Sequence, residues 1–250
     1  MGYDQFVTLQ LAGDIPSSHD SQQPSSQIAT AFGLSGPDMP DINSQQERKH
    51  VLMNEMTATI GSTLLSLQIG CSQCHDHKYD AISQGDFYRL RAFFDRGLKL
   101  ANQKSVNTLS ANADPDATSQ IHPRGDWRAE GPKVSAAFPR IANRADTQVS
   151  TAVHPRVQLA QWLTDRSQPL TARSIVNRVW QYHFGTGLSS TPSDFGVMGE
   201  EPSHPKLLDH LASRLMNHEW SLKDLHRQIV LSATYRTQSR PAADGKNGSD

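Results

Sequence analysis

The chain has 250 residues, 36% of them apolar, and a formal net charge of −1. That length holds one large or two modest cores, and the charge balance gives no basic field for nucleic acid. No apolar run nears the ~20 residues of a membrane-spanning helix; the best, Leu64–Ile69, is interrupted by Ser66 and Gln68.

The first residues, MGYDQFVTLQLAGD, carry Phe6, Leu9 and Leu11 at helix-like spacing, with no basic and apolar leader ahead of them. Taken alone, that start predicts a cytoplasmic protein. Residues 14–46 are rich in Ser, Gln, Pro and Asp and read as a long loop with an apolar interlude from Ile28 to Leu34. Val51, Leu52, Met56, Ile60, Thr63, Leu64 and Leu67 then recur at helical spacing and predict a helix over about 47–69, stopped by Gly70.

The run CSQCH follows at once. Ser83 reads as the N-cap of the next helix, with Asp86 as the reciprocal member of a capping box. Phe87, Leu90, Phe93 and Phe94 supply its apolar face over about 84–96. The two helices are expected to pack through Leu64, Leu67, Phe87, Leu90 and Phe94, with the CSQCH loop at their junction.

Residues 101–152 lack sustained periodicity and read as an extended connection. Arg124-Gly125-Asp126 within it is a tripeptide that arises often by chance, not an adhesion loop. Four helices are predicted after it. The first covers 156–165, and the second is capped by Thr171, carries Val176, Val179, Trp180 and Phe184, and stops at Gly185. The third is capped by Ser203, has Pro205 in its first turn, and carries Leu208, Leu211 and Leu215. The fourth is capped by Ser221 with Asp224 and carries Leu225 and Ile229. One core holding Trp180, Leu208, Leu211 and Ile229 is expected for all four. Trp162 and Trp220 read as core, and Arg173, Asn177 and Arg178 as a solvated face. The fold class is mostly α: two small helical regions joined by long irregular loops.

CSQCH is the one strong chemical signal. The chain's two cysteines, Cys71 and Cys74, are three positions apart, which excludes a disulfide framework. Two thiols able to add across the vinyl groups of one porphyrin edge, followed directly by an imidazole, are the c-type haem signature. His75 is then the proximal iron ligand. His77 cannot be the opposite one, because two residues of chain do not pass round a porphyrin edge. Met198, with His183 and His204 flanking it, supplies candidates for the sixth position, which could equally stay open. Three other readings stay open. Cys71, Cys74, His75, His77 and Asp80 could hold zinc or iron without porphyrin, the two thiols could be a thioredoxin-like dithiol, or both could be plain buried cysteines. A G-x-S-x-G elbow and a Gly-rich phosphate loop are missing from the sequence.

GCSQCHDHKYDAISQGDFYRLRAFF resembles the end of the planctomycete-type cytochrome c domain, G-C-x-x-C-H-D-H-K-[FY]-D-P-I-x-Q-x-D-[FY]-Y-x-L-x-A-F-F, with Ala81 in place of the proline. YDQFVTLQLAGD resembles an upstream motif of that domain. PLTARSIVNRVWQYHFGTGL and WSLKDLHRQIVLSATYRTQS are similar to the planctomycete-specific domain that usually follows it. The resemblance implies the C-terminal part of a cytochrome-like domain over 1–100, an irregular region over 101–152 and a helical domain over 153–250. It implies haem c on Cys71, Cys74 and His75, and electron transfer with a redox partner protein or a linked oxidative or polysaccharide-degrading enzyme. It also implies a periplasmic or extracytoplasmic location, with the leader on a part of a longer gene product that this chain lacks. A zinc- or iron-binding hydrolase or accessory module, and a structural interaction protein, remain the alternatives.

Overall fold

The computed structural model describes residues 1–16, 28–34, 42, 44–98, 109–110, 114, 116–143 and 145–237. Much of the loop expected over 14–46, the start of the connection at 101–108 and everything after Thr237 lie outside the described residues. The protein is mostly α, and among the described residues the only β pairing is an isolated bridge between Gln120 and Lys133.

Helix α1 runs over Tyr3–Ala12 and α2 over Gln45–Ile60, the latter capped by Ser44, whose side chain accepts from the Glu47 N–H. The second helix does not continue to residue 69. At Gly61 it widens into a π-turn, Gly61–Leu65, and ends at Ser66 in the left-handed region (φ 50°). The chain doubles back so tightly that a Cβ on Gly61 would sit 2.1 Å from the Ile69 side chain. Only glycine permits that approach.

A 3₁₀ turn, Ile69–Gln73, leads into the motif, and α3 follows over Gln84–Arg91. Its capping box is complete. Ser83 Oγ accepts from the Asp86 N–H, and Asp86 Oδ2 accepts from the Ser83 N–H at 2.9 Å. Ser83→Ala should cost about 1 kcal/mol of stability, the usual worth of an N-cap, read as a shift in the urea midpoint. No shift would show that the box is redundant.

The remaining helices are α4 (Pro155–Thr164), α5 (Pro169–Phe184), α6 (Pro205–Asn217), α7 (Leu222–Leu231) and the short α8 (Ala233–Arg236). Pro169 fills the first turn of α5, so that helix starts two residues before Thr171 and is capped by Gln168. Pro205 likewise opens α6, placing His204 at the cap position, while Ser203 Oγ donates to the Leu188 carbonyl instead.

Two apolar clusters organise these elements. The first joins Val7 and Leu11 of α1, Met53, Met56 and Ile60 of α2, Leu64, Leu67, Phe87, Leu90, Phe93 and Phe94. The junction expected around the motif is therefore present. Leu159, Trp162 and Leu163 of α4 belong to this cluster too, not to the later helices as expected. An apolar stripe states that a helix is buried but not against which neighbour. Leu109, Phe138 and Ala142 also plug this core, with Phe138 stacked between Phe93 and Trp162. The middle region is thus packed where it is described.

The second cluster gathers Val176, Val179, Leu208, Leu211, Leu215, Trp220, Leu225 and Ile229, with Trp180 packed against it. Of the α5 face expected in solvent, Arg173 stays partly exposed and pairs with Asp209, while Asn177 and Arg178 turn inward. Asn177 is fully buried and exchanges two hydrogen bonds with the Ser189 backbone. Arg178 donates to the Thr63 and Ser62 carbonyls freed by the π-turn. Charged and amide side chains here satisfy backbone groups that the end of the α2 π-turn and the loop after α5 leave open.

Candidate functional site

Cys71 ends up exposed within the 3₁₀ turn and Cys74 half-buried at its close, both as free thiols. His75 is exposed, and its Nδ1 lies 2.7 Å from the Asp76 carbonyl. A carbonyl only accepts, so Nδ1 carries a proton, and in the neutral ring the Nε2 lone pair is free. That is the arrangement by which a backbone carbonyl fixes the tautomer of a metal-ligating histidine.

His77 and Asp80 are engaged elsewhere. His77 Nδ1 accepts from the Asp80 N–H (2.9 Å) and the Tyr79 N–H (3.3 Å), so the ring caps its own turn. Asp80 is buried, and its Oδ1 accepts from the Val197 N–H at 2.7 Å. A Cβ on the neighbouring Gly196 would sit 2.4 Å from Asp80 Oδ2. The loop before α6 therefore docks on the motif segment through a glycine that leaves the carboxylate room. Among the described residues, no three His, Cys, Asp or Glu side chains stand together so as to hold a metal ion. The five residues of the bare-metal set are not gathered into one ligand group.

Met198 is 58% exposed on this docked loop, one residue from the Val197 N–H that Asp80 holds. His204 sits at the start of α6, against Ser203 Oγ. His183 pairs with His226 at 2.7 Å on the surface of the second helical region.

Several residues that the sequence reading passed over support the motif. Tyr88 Oη donates to the Gln73 carbonyl (3.0 Å) and the His122 carbonyl (3.4 Å). Gln84 Nε2 donates to the same two carbonyls, at 3.0 and 3.1 Å. Burial pushes the Tyr88 phenol up to about 12, so it remains a donor throughout the neutral range. Tyr88 and Gln84 both occupy fixed letters of the quoted pattern, and that was the available signal.

Behind them lies a buried polar group of His50, Asn54, Arg91 and Asp95. Arg91 donates to His50 Nδ1 (3.0 Å), Asn54 Oδ1 (2.8 Å) and Asp95 Oδ1 (3.1 Å). Burial first, then the Arg91 charge and His122, hold His50 down at about 3. His122, edge-on to His50, is lowered by burial and Arg91 as well. Both rings are neutral at pH 7.

On the other flank a cavity of about 460 Å³ is lined by Asp76, His77, Asp80, Ile82, Ser83 and Arg140. Arg140 reaches Asp86 at 3.0 Å. Burial alone would raise the Asp86 carboxyl, but hydrogen bonds from Arg140 and Ser83 outweigh it and keep it below the usual range.

Comparison with known families divides the chain in two. Residues 1–98 match the family described as PSCyt2, protein of unknown function (DUF1549). Residues 155–250 match the family described as PSD1, protein of unknown function (DUF1553). No curated protein and no solved structure matches the chain.

Proposed function

From a chain whose two ends match two families of unknown function, we propose a c-type cytochrome-like protein that carries one covalent haem and passes electrons to a partner. The observation that carries this reading is the C-x-x-C-H loop with both thiols free and His75 held by Nδ1 so that Nε2 is open. Haem, when attached, supplies a one-electron iron couple. Cys71 and Cys74 would hold the haem covalently, and His75 would ligate its iron through Nε2. Met198 is the candidate for the sixth position, since Asp80 tethers its loop beside the motif. The partner is a redox protein or a linked oxidative or polysaccharide-degrading enzyme. The protein works in the periplasm or elsewhere outside the cytoplasm, where c-type haem is attached.

The test is a haem stain on denatured protein expressed with a c-type maturation system, because only covalent haem survives denaturation. One haem per chain is expected. Cys71→Ser with Cys74→Ser should abolish it, since the chain has only these two cysteines. His75→Ala should leave little matured product. His77→Ala should retain most of the haem, because that ring serves its own turn. Colourless matured protein binding stoichiometric zinc would overturn the proposal in favour of a metal-binding hydrolase or accessory module.

A further inference from the structure

Arg124-Gly125-Asp126 lies against the motif. Pro123–Gly125 forms a single 3₁₀ turn in which Arg124 has φ 58° and Gly125 has φ 74°. A left-handed arginine is an uncommon backbone state and needs surrounding contacts to hold it. Those contacts are present. The turn is closed by Gly125 N–H to the His122 carbonyl (2.9 Å) and by Asp126 N–H to the Pro123 carbonyl (3.2 Å). His122 Nδ1 donates to the Ala129 carbonyl, and Gly131 N–H donates to the Ile121 carbonyl, so the base of the loop is pinned. Gln84 and Tyr88 each bridge the Gln73 and His122 carbonyls, clasping this loop to the motif. At its tip, a Cβ on Gly125 would lie 2.7 Å from Cys74 Sγ.

We infer that residues 122–126 are a strap that seats the Cys74 thiol, makes the two thiols of the motif inequivalent, and has Gly125 as its positioning residue. Cys71 is the open thiol and Cys74 the held one. Under the haem reading, on which this part of the inference rests, each attachment breaks an S–H bond. It forms an S–C bond to one vinyl carbon and delivers the hydrogen to the other. No electrons are gained or lost overall. Cys71 adds unhindered, and Cys74 adds from the place the strap gives it.

The test has two arms. In the reduced chain made without haem, alkylation at fixed pH is followed by mass spectrometry. Cys71 should react at least about tenfold faster than Cys74, because access governs thiol reactivity as much as thiolate content does. Unclasping the strap with Gln84→Ala and Tyr88→Phe together should bring the two rates within about threefold. Ser221→Ala, at the cap of α7 in the other helical region, should leave the ratio unchanged and so controls for lost stability. In the matured chain, the unclasped variant and Gly125→Ala should accumulate haem held by one thioether at Cys71. A red-shifted pyridine haemochrome band from the unreacted vinyl reports that product, which mere instability does not produce. Equal alkylation rates in the native chain, or a ratio that unclasping leaves unmoved, overturns the strap. A native chain that shows the asymmetry but takes no haem overturns the haem reading and leaves the strap standing.

Discussion

Replacing Arg156 with methionine is expected to cost about 3–5 kcal/mol of folding stability, the loss seen when one member of a buried ion pair is removed. Arg156 is 0% exposed, and its guanidinium grips Asp14 through both oxygens, Nη1 to Oδ1 at 2.8 Å and Nη2 to Oδ2 at 2.6 Å. Nη1 also donates to the Leu11 carbonyl at the end of α1. One side chain from α4 thus closes the helix end and the turn after it. Methionine fills most of the volume but leaves the Asp14 carboxylate buried without a partner, and that is where the cost arises. Urea denaturation monitored by circular dichroism measures it. Adding Asp14→Leu to the methionine variant should restore much of the loss, since a buried pair exchanged for apolar groups is often near neutral. A loss under about 1 kcal/mol for Arg156→Met, the range of an exposed pair, would show that the pair is solvated in solution.

That pair also marks where sequence reading stopped. Arg156 opens a helix whose apolar positions were plain, yet an arginine at a helix start reads as a surface residue. Its partner lies 142 positions away, and no local pattern encodes such a separation. Helices α2, α3, α5, α6 and α7 were legible because each carries an apolar stripe. The caps of α3 and α7 were legible too, while Pro169 and Pro205 move the starts of α5 and α6 away from Thr171 and Ser203. Phe138 was not, because a single aromatic residue in an aperiodic stretch has no period to betray it, although it fills the gap between Phe93 and Trp162. The candidate site divides in the same way. Cys71, Cys74 and His75 announce themselves by spacing. Gly125, Gly196 and Val197 reach the motif only through the fold, two of them on a loop more than a hundred residues later.

Acid should destabilise the protein well above the carboxylate range, through His50. Its folded value is about 3 against an ordinary 6.5. The unfolded chain therefore takes up a proton as pH falls through 6.5, while the folded one stays neutral until about 3. Stability is present in full above 6.5 and lost on the way down, at about 1.4 kcal/mol per pH unit once the unfolded histidine is protonated. Between pH 7 and pH 5 the loss from His50 is about 2 kcal/mol. His122, lowered by burial and by Arg91, adds in the same direction. The cause is structural: burial denies a protonated His50 its solvation, and the Arg91 guanidinium faces it at 3.0 Å. His50→Gln keeps an acceptor within reach of Arg91 but cannot titrate. Urea midpoints at pH 7 and pH 5 should therefore separate strongly in the native chain and much less in this variant. Parallel pH dependences in the two proteins would show that His50 titrates normally and that the polar group behind the motif is open to water.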